Sequence, residues 1–281
     1  MNQHLSLNDV VDGMNVDVCE SREEHVEAVT RWLGEREKAA LETRGQDGFH
    51  VAVSGGSQPN LLAAILETNA QLETPLLTPS KWHVYLVDER VVRMDSEHST
   101  SGVLCGQNGM MSYIPAENGH FLDPNAVADA VDSDFDPQKL QSLADSYAAT
   151  VSSSVPNTDG NGLPVLDAVL LGMGPDGHTA SLFPGSDLLD APADPDHIVL
   201  YIDTSPKPPP QRVTLSLPVI NAAASIAFIA TGASKAQALV SILTPAPDAE
   251  PGQSLPSARV TGDDLTWFVD QPAMGSSPAP E

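Results

Sequence analysis

The stretch Phe49-His-Val-Ala-Val-Ser-Gly-Gly-Ser-Gln-Pro-Asn-Leu-Leu-Ala-Ala-Ile-Leu66 decides the fold class of this chain. Its first five residues are mostly apolar and predict a short buried strand. The turn Ser54-Gly-Gly-Ser57 comes next, and apolar side chains then recur at helical spacing, at Leu61, Leu62, Ile65 and Leu66. A strand that leads through a glycine turn directly into a helix is typical of one repeating unit of a parallel sheet.

The same alternation continues along the chain. Strand-like apolar runs recur at 82–87, 165–171, 225–230 and 265–269, and helical patterns cover 21–44, 137–152 and 234–243. Because several of these strands are apolar throughout, we expect an α/β fold with a mainly parallel sheet and helices on both faces. We expect one domain over residues 1–270. The tail over 271–281 has no apolar pattern, so we expect it to be disordered.

The composition limits the classes of partner. The 281 residues include 38 acidic and 13 basic ones, which gives a formal net charge of −25. This charge repels nucleic acid phosphates and anionic lipids, so we expect neither nucleic-acid nor membrane binding. The sequence has no bilayer-spanning apolar run and no signal-peptide pattern, which predicts a cytoplasmic protein, either a monomer or a small homo-oligomer. An acidic chain that binds an anion must gather its few basic residues into one site.

Polar motifs follow the strands of the expected sheet, where ligands of such sheets bind. The turn Ser54-Gly-Gly-Ser57 joins a strand to a helix, so it can present backbone N–H groups and a helix dipole to a phosphate. It is neither a dinucleotide fingerprint nor a Walker loop, and taken alone it can equally be a short structural turn. Arg212 and Lys235 also follow strand-like segments and can supply positive charge, although either one can instead form a surface salt bridge.

The segment Leu171-Gly-Met-Gly-Pro-Asp-Gly-His-Thr-Ala-Ser-Leu-Phe-Pro184 is the most informative one in the chain. A histidine on such a loop titrates near neutral pH and can take a proton from water, and a nearby carboxylate can orient its ring. His178 is therefore the best candidate for a general base, with Asp176 beside it. The cluster Asp88-Glu89-Arg90 can either contribute to the site or form a helix cap or a salt bridge.

These motifs together resemble the 6-phosphogluconolactonases of the glucosamine-6-phosphate isomerase/6-phosphogluconolactonase family. The resemblance runs in order from about residue 50 to 270 through the Ser54–Ser57 turn, Asp88-Glu89-Arg90, the 172–184 segment, the 205–217 segment, Thr231-Gly232 with Lys235, and Trp267-Phe-Val-Asp270. It implies a Rossmann-like sheet and hydrolysis of 6-phospho-D-glucono-1,5-lactone to 6-phosphogluconate in the pentose phosphate pathway.

The resemblance also implies roles for individual residues. His178 would be the base and Asp176 its partner, and the phosphate or sugar would be bound by Gly55, Gly56, Ser57, Arg90, Arg212 and Lys235, with Ser54 and Asp88 in the same site. Opening a lactone requires only an activated water and a stabilised oxyanion, so we expect no cofactor and no metal. Two alternatives stay open: a glucosamine-6-phosphate deaminase, and a sugar-phosphate sensor without turnover.

Overall fold

A computed structural model describes residues 15–243 and 255–275, and the structural statements below concern those residues. Their regular elements, in chain order, are β1 Asn15–Cys19, α1 Arg22–Arg44, β2 Phe49–Val53, α2 Gln58–Gln71, β3 Trp82–Leu86, β4 Asp88–Arg90, α3 Thr100–Cys105, β5 Gly119–His120, α4 Pro124–Asp132, α5 Pro137–Ser154, β6 Ala168–Gly172, β7 Val199–Ile202, β8 Arg212–Leu215, α6 Leu217–Asn221, β9 Ile226–Ala230, α7 Ala236–Leu243 and β10 Leu265–Asp270.

The main sheet has seven strands in the order β1-β10-β9-β6-β2-β3-β5, and every neighbouring pair is parallel. All five residues of β2 and all five of β9 are buried, which requires cover on both faces of the sheet. The expectation of an α/β, Rossmann-like fold with a mainly parallel sheet is therefore confirmed. The first and last described strands, β1 and β10, pair with each other.

Local sequence explains the helix that precedes β2. The backbone N–H of Glu24 donates to the side chain of Ser21 over 3.1 Å, so Ser21 caps α1 as its sequence pattern predicts. The Glu24 carboxylate accepts from the backbone N–H of Glu20 rather than from that of Ser21, which shifts the second half of the capping box by one residue. Such a cap stabilises a helix by about 1 kcal/mol.

A second, antiparallel sheet of three strands, in the order β4-β8-β7, lies outside the expected pattern. Its strand β4 consists of Asp88-Glu89-Arg90, although the sequence pattern predicts that the strand ends before these residues. Three charged residues carry no hydrophobic alternation, so pairing with β8 and not local propensity makes this segment a strand. The register sets Asp88 opposite Thr214 and Arg90 opposite Arg212.

The predicted disordered tail begins too early. Residues 271–275 form a turn after β10, and Ala273 is completely buried there. The backbone N–H of Ala273 donates to the carboxylate of Asp270 over 2.8 Å, which fixes the turn. The expectation of disorder is therefore wrong for 271–275, while 276–281 lie outside the described residues.

No helix within residues 15–243 and 255–275 combines the length and the apolar character that crossing a membrane requires. Cys19 and Cys105 are free thiols, the first buried and the second exposed.

Candidate active site

The site lies at the point in the sheet where strands that follow one another in sequence are placed on opposite sides of β2. Strand β2 is followed by β3 on one side of it in the sheet, whereas its other neighbour, β6, leads on to β9 away from β2. The loops after β2 and β6 therefore diverge and leave a crevice at the carboxyl ends of these strands, the usual ligand position in open α/β sheets. The loop after β9 borders the same crevice.

A pocket of about 230 Å³ occupies this crevice. All the site residues predicted from the sequence line this pocket except Asp176, which instead contacts the lining residue His178. Its lining includes Ser54, Gly55, Gly56, Ser57, Gln58, Asp88, Arg90, Gly174, His178, Arg212, Thr231 and Lys235.

The Ser54–Ser57 turn has the geometry of an anion-binding loop. Gly56 has a φ of 77°, in the left-handed region that favours glycine. A side chain at Gly55 would place its Cβ 2.8 Å from Oγ1 of Thr100 and 3.4 Å from Cζ of Arg90, so only glycine allows this approach. Ser57 stands at the N-cap of α2 but makes no side-chain cap hydrogen bond. The helix thus presents its positive end to the pocket.

Arg90 and Arg212 lie directly opposite each other on the antiparallel pair β4 and β8. Like charges in this position repel each other, and a bound anion would relieve the repulsion. The side chain of Arg90 donates from Nη1 to the carbonyl of His98 over 3.0 Å. Its Nε is buried without a hydrogen-bond partner in the described structure, as is Oγ1 of Thr100 nearby. Unpaired buried donors beside a glycine loop fit a site that is completed by an anionic ligand.

Arg212 is only 4 % exposed and uses most of its donors inside the protein. Its Nε donates to Oγ of Ser205 over 3.1 Å and to the carbonyl of Pro209 over 3.0 Å. Its Nη2 donates to the carbonyl of Lys207 over 3.1 Å. Arg212 therefore lines the pocket, but it also clamps the loop of residues 205–209, a role that sequence reasoning did not reveal.

The segment that carries His178 is held firmly from several sides. The backbone N–H of Gly174 donates to the carbonyl of His178 over 2.8 Å, and Oγ1 of Thr179 donates to the carbonyl of Gly172 over 2.9 Å. Ser257 donates to the carbonyl of Gly177 from both its N–H and its hydroxyl, over 3.0 and 2.9 Å. These contacts fix the backbone around His178, whose side chain lines the pocket.

The His178 ring faces a carboxylate. Its Nδ1 lies 2.6 Å from Oδ1 of Asp176. Partial burial raises the pKa of Asp176, but hydrogen bonds from His178 and Lys207 outweigh this and hold the pKa well below its usual range. An ionised carboxylate only accepts, so Nδ1 carries the proton that is shared with Asp176, and Nε2 is left as the free base. Burial lowers the pKa of His178, against the opposing effect of Asp176, which favours the neutral ring at neutral pH.

The other acidic residues near the site have structural partners. Asp88 is buried and accepts from Oγ of Ser54 over 3.0 Å and from Oγ of Ser181 over 2.8 Å. Glu89 is buried and accepts from the backbone N–H groups of Thr100 and Ser101, over 2.8 and 2.7 Å, at the start of α3. The two readings of the 88–90 cluster are thus both realised, because Glu89 acts as a helix cap while Asp88 lines the pocket.

Lys207 is the functional candidate that sequence reasoning missed. Its Nζ lies 2.9 Å from Oδ1 of Asp176 and 3.1 Å from Nδ1 of His178. A lysine in a proline-rich run, Ser205-Pro-Lys-Pro-Pro-Pro210, gives no local signal of this contact. Its position becomes apparent only through the fold of the loop, which Arg212 holds.

Lys235 follows β9 and also lines the pocket. Burial lowers its pKa, the positive charge of Lys207 lowers it further, and the carboxylate of Asp176 raises it. Within the described ranges, no group of three or more His, Cys, Asp or Glu side chains could hold a metal ion.

This chain is similar to known proteins over most of its length. A model of the family described as glucosamine-6-phosphate isomerases/6-phosphogluconolactonase matches residues 20–267. The chain is 36 % identical to a 6-phosphogluconolactonase of Rattus norvegicus, over 92 % of this chain and 91 % of the relative. It is 35 % identical to a probable 6-phosphogluconolactonase of Schizosaccharomyces pombe, over 89 % and 90 % of the two chains.

Among solved structures, the chain resembles a 6-phosphogluconolactonase from Trypanosoma cruzi with a TM-score of 0.76 and 25 % identity, over 99 % of this chain and 100 % of that one. It also resembles a monomeric glucosamine-6-phosphate deaminase, with a TM-score of 0.68 over 94 % of this chain and 100 % of that one. At 18 % identity, the second likeness shows a shared fold alone.

Proposed function

This chain belongs to the glucosamine-6-phosphate isomerase/6-phosphogluconolactonase family, and we propose that it hydrolyses 6-phospho-D-glucono-1,5-lactone to 6-phosphogluconate with His178 as the general base. Its identity as a 6-phosphogluconolactonase is supported by curated relatives with this name that are 35–36 % identical over about nine-tenths of both chains. The observation that carries the proposed mechanism is the His178 ring, held 2.6 Å from an ionised carboxylate beside an anion-binding loop.

The phosphate is assigned to the side of the pocket formed by the 54–57 turn. The residues of the turn, the N-terminus of α2 and the side chain of Arg90 all line the pocket there. Lys235 adds a charge from the loop after β9. Charge-assisted hydrogen bonds of this kind are about twice as strong as neutral ones, so they account for recognition of a dianionic substrate by a chain with a net charge of −25.

The lactone ring would then extend toward His178. Nε2 of His178 removes a proton from water as the water oxygen attacks the lactone carbonyl carbon, and the carbonyl oxygen becomes an oxyanion. The tetrahedral intermediate collapses with cleavage of the bond to the ring oxygen, which takes the proton back from His178. The product acid ionises to 6-phosphogluconate. Asp176 stabilises the transient imidazolium and keeps Nε2 toward the reaction.

The test is a turnover assay with freshly made lactone, corrected for its spontaneous hydrolysis. His178→Ala should fold, bind 6-phosphogluconate, and lose about 10²- to 10⁴-fold in kcat. His197→Ala is a matched control, because Nδ1 of His197 also lies 2.6 Å from a carboxylate, that of Asp194, but the residue does not line the pocket. Turnover of His178→Ala at the wild-type level would contradict the proposed base, and ammonia release from glucosamine 6-phosphate instead of lactonase activity would favour a deaminase.

The unphosphorylated lactone tests the phosphate assignment. Lys235→Met should raise KM for the phosphorylated substrate much more than for gluconolactone, because the charge-assisted contact exists only with the phosphate. Equal effects on both substrates would place Lys235 elsewhere. A cytoplasmic location stays a prediction, since some of the rice relatives carry the word chloroplastic in their names.

A further inference from the structure

Lys207 makes the closest basic contact to the proposed catalytic pair. Its Nζ donates to Oδ1 of Asp176 over 2.9 Å, and the same oxygen lies 2.6 Å from Nδ1 of His178. One carboxylate oxygen is thus shared between an ammonium group and an imidazole. The strength with which Asp176 stabilises a charged imidazole therefore depends on Lys207.

The position of Lys207 is imposed by the fold. The carbonyl of Lys207 and that of Pro209 both accept hydrogen bonds from the guanidinium of Arg212. Oγ of Ser205 donates to the carbonyl of Lys207 over 2.7 Å. These hydrogen bonds anchor the main chain of the loop around Lys207. The fold of the loop therefore directs Nζ of Lys207 toward Asp176.

We propose that Lys207 is a positioning residue for the lactone hydrolysis proposed above: its ammonium group holds Asp176 in place and limits how strongly that carboxylate stabilises a protonated His178. Two physical effects act in the same direction. The ammonium charge beside Nδ1 disfavours a second positive charge on the ring, and the shared Oδ1 has less electron density to offer the ring. The base therefore stays neutral, and competent to accept a proton, at lower pH.

The other charged groups around His178 agree with this assignment. Asp176 and Asp88 favour the protonated ring, whereas Lys207 opposes it. Lys235 also lines the pocket, and its own pKa is lowered by the charge of Lys207 and raised by that of Asp176. Among the cations of the described pocket and its rim, Lys207 contacts both members of the pair.

The experiment compares Lys207→Met, Lys207→Arg and Lys81→Met with the wild type. Lys81 stands just before β3, at the end of the sheet away from the pocket, and serves as the matched control. The pH dependence of kcat/KM is measured with unphosphorylated gluconolactone, because its rate contains no titrating substrate phosphate. The KM at pH 7 is measured with both the phosphorylated and the unphosphorylated lactone. The titration of His178 is followed in parallel by NMR of histidine-labelled protein. The signal of His178 is assigned as the one that is missing from the spectrum of His178→Ala.

In Lys207→Met, the acid limb of the pH profile and the NMR midpoint of His178 should both move to higher pH. The kcat at pH 7 should fall about 10-fold, a smaller loss than the 10²-fold typical of a displaced catalytic group. Lys207→Arg should restore both values, and Lys81→Met should change neither. Should Lys207→Met fail to fold, Lys207→Gln replaces it in the same comparison.

An unchanged acid limb together with an unchanged NMR midpoint would overturn the proposal, even with a drop in turnover. So would a rise in KM that is confined to the phosphorylated substrate, because Lys207 would then be a phosphate ligand. If the wild type shows no lactonase activity, the proposed function fails, while the NMR midpoint still decides whether Lys207 acts on His178.

Discussion

Replacing His50 by glutamine tests a buried histidine that belongs to a cluster of three at the opposite end of the sheet from the pocket. The His50 ring stacks on His83 with centroids 4.6 Å apart, and Nδ1 of His83 lies 3.0 Å from Nε2 of His120. Nε2 of His50 donates to the carbonyl of Asp47 over 2.7 Å, so Nδ1 accepts from the hydroxyl of Tyr85 over 2.9 Å. His50 is 2 % exposed, and these contacts suit a neutral ring.

The pKa of His50 determines how strongly the stability of the protein depends on pH. Burial is the main cause that lowers it from 6.5 to about 4; the hydrogen bond to Asp47 raises it, and the charges of His83 and Arg44 lower it. As pH falls below 6.5, the unfolded chain binds a proton that the folded chain does not bind until about pH 4. The free energy of unfolding therefore decreases with falling pH in this window, by about 2 kcal/mol between pH 7 and pH 5 and by about 3 kcal/mol in full.

Urea unfolding followed by tryptophan fluorescence at pH 7, 6 and 5 measures this dependence. His50→Gln should be less stable than the wild type at pH 7, because packing and hydrogen bonds change, yet its loss of stability from pH 7 to pH 5 should be smaller by about 2 kcal/mol. His98→Gln, at an exposed position, should follow the wild type. An identical pH dependence in His50→Gln and the wild type would refute the linkage between this histidine and acid stability.

Two further predictions follow from geometry and charge. Gly174→Ala should lower kcat by about 10²-fold with little change in KM, because its Cβ would lie 2.0 Å from Nδ1 of His178 and would displace the ring. Gly160→Ala is the control, since the space around its new Cβ is open. Equal kcat values for the two variants would contradict the proposed role of His178. Raising NaCl from 0.1 to 1 M should increase Tm, because the repulsion within a chain of net charge −25 is then screened over about 3 Å. The expected increase is about 2–4 °C for each kcal/mol of repulsion that is relieved. Calorimetry that finds no increase would mean that charge repulsion does not limit the stability of the fold.

The sequence predicts the five inner strands of the main sheet because they are apolar and almost entirely buried. The two edge strands, β1 and β5, are partly exposed and were not predicted. An apolar run such as 49–53 is read correctly without knowledge of its neighbours, and β2 spans those same residues. The glycine turn that follows can also be predicted, because its conformation depends on the glycines themselves and not on distant residues. The pattern says nothing about the order β9-β6-β2, which places the three loops in one crevice.

Features that depend on pairing between distant segments were not predictable. Strand β4 consists of charged residues that extend only because β8 lies beside them, and the opposition of Arg90 and Arg212 follows from that register. The clamp of Arg212 on the 205–209 loop and the contact of Lys207 with Asp176 have the same origin. A proline-rich run with one lysine reads as a surface loop until its partners are known.

The distribution of charge connects the fold to the proposed chemistry. Arg90, Lys207, Arg212 and Lys235, four of only 13 basic residues, lie at one crevice. Two of them lie on the small antiparallel sheet, one on the loop it holds, and one after β9 of the main sheet. In a chain with a net charge of −25, a local excess of positive charge in a concave, partly desolvated site attracts an anion that the remaining surface repels. The surrounding acidity therefore favours binding of an anionic ligand in this pocket. Screening by salt should weaken the binding of the proposed phosphorylated substrate while it stabilises the fold.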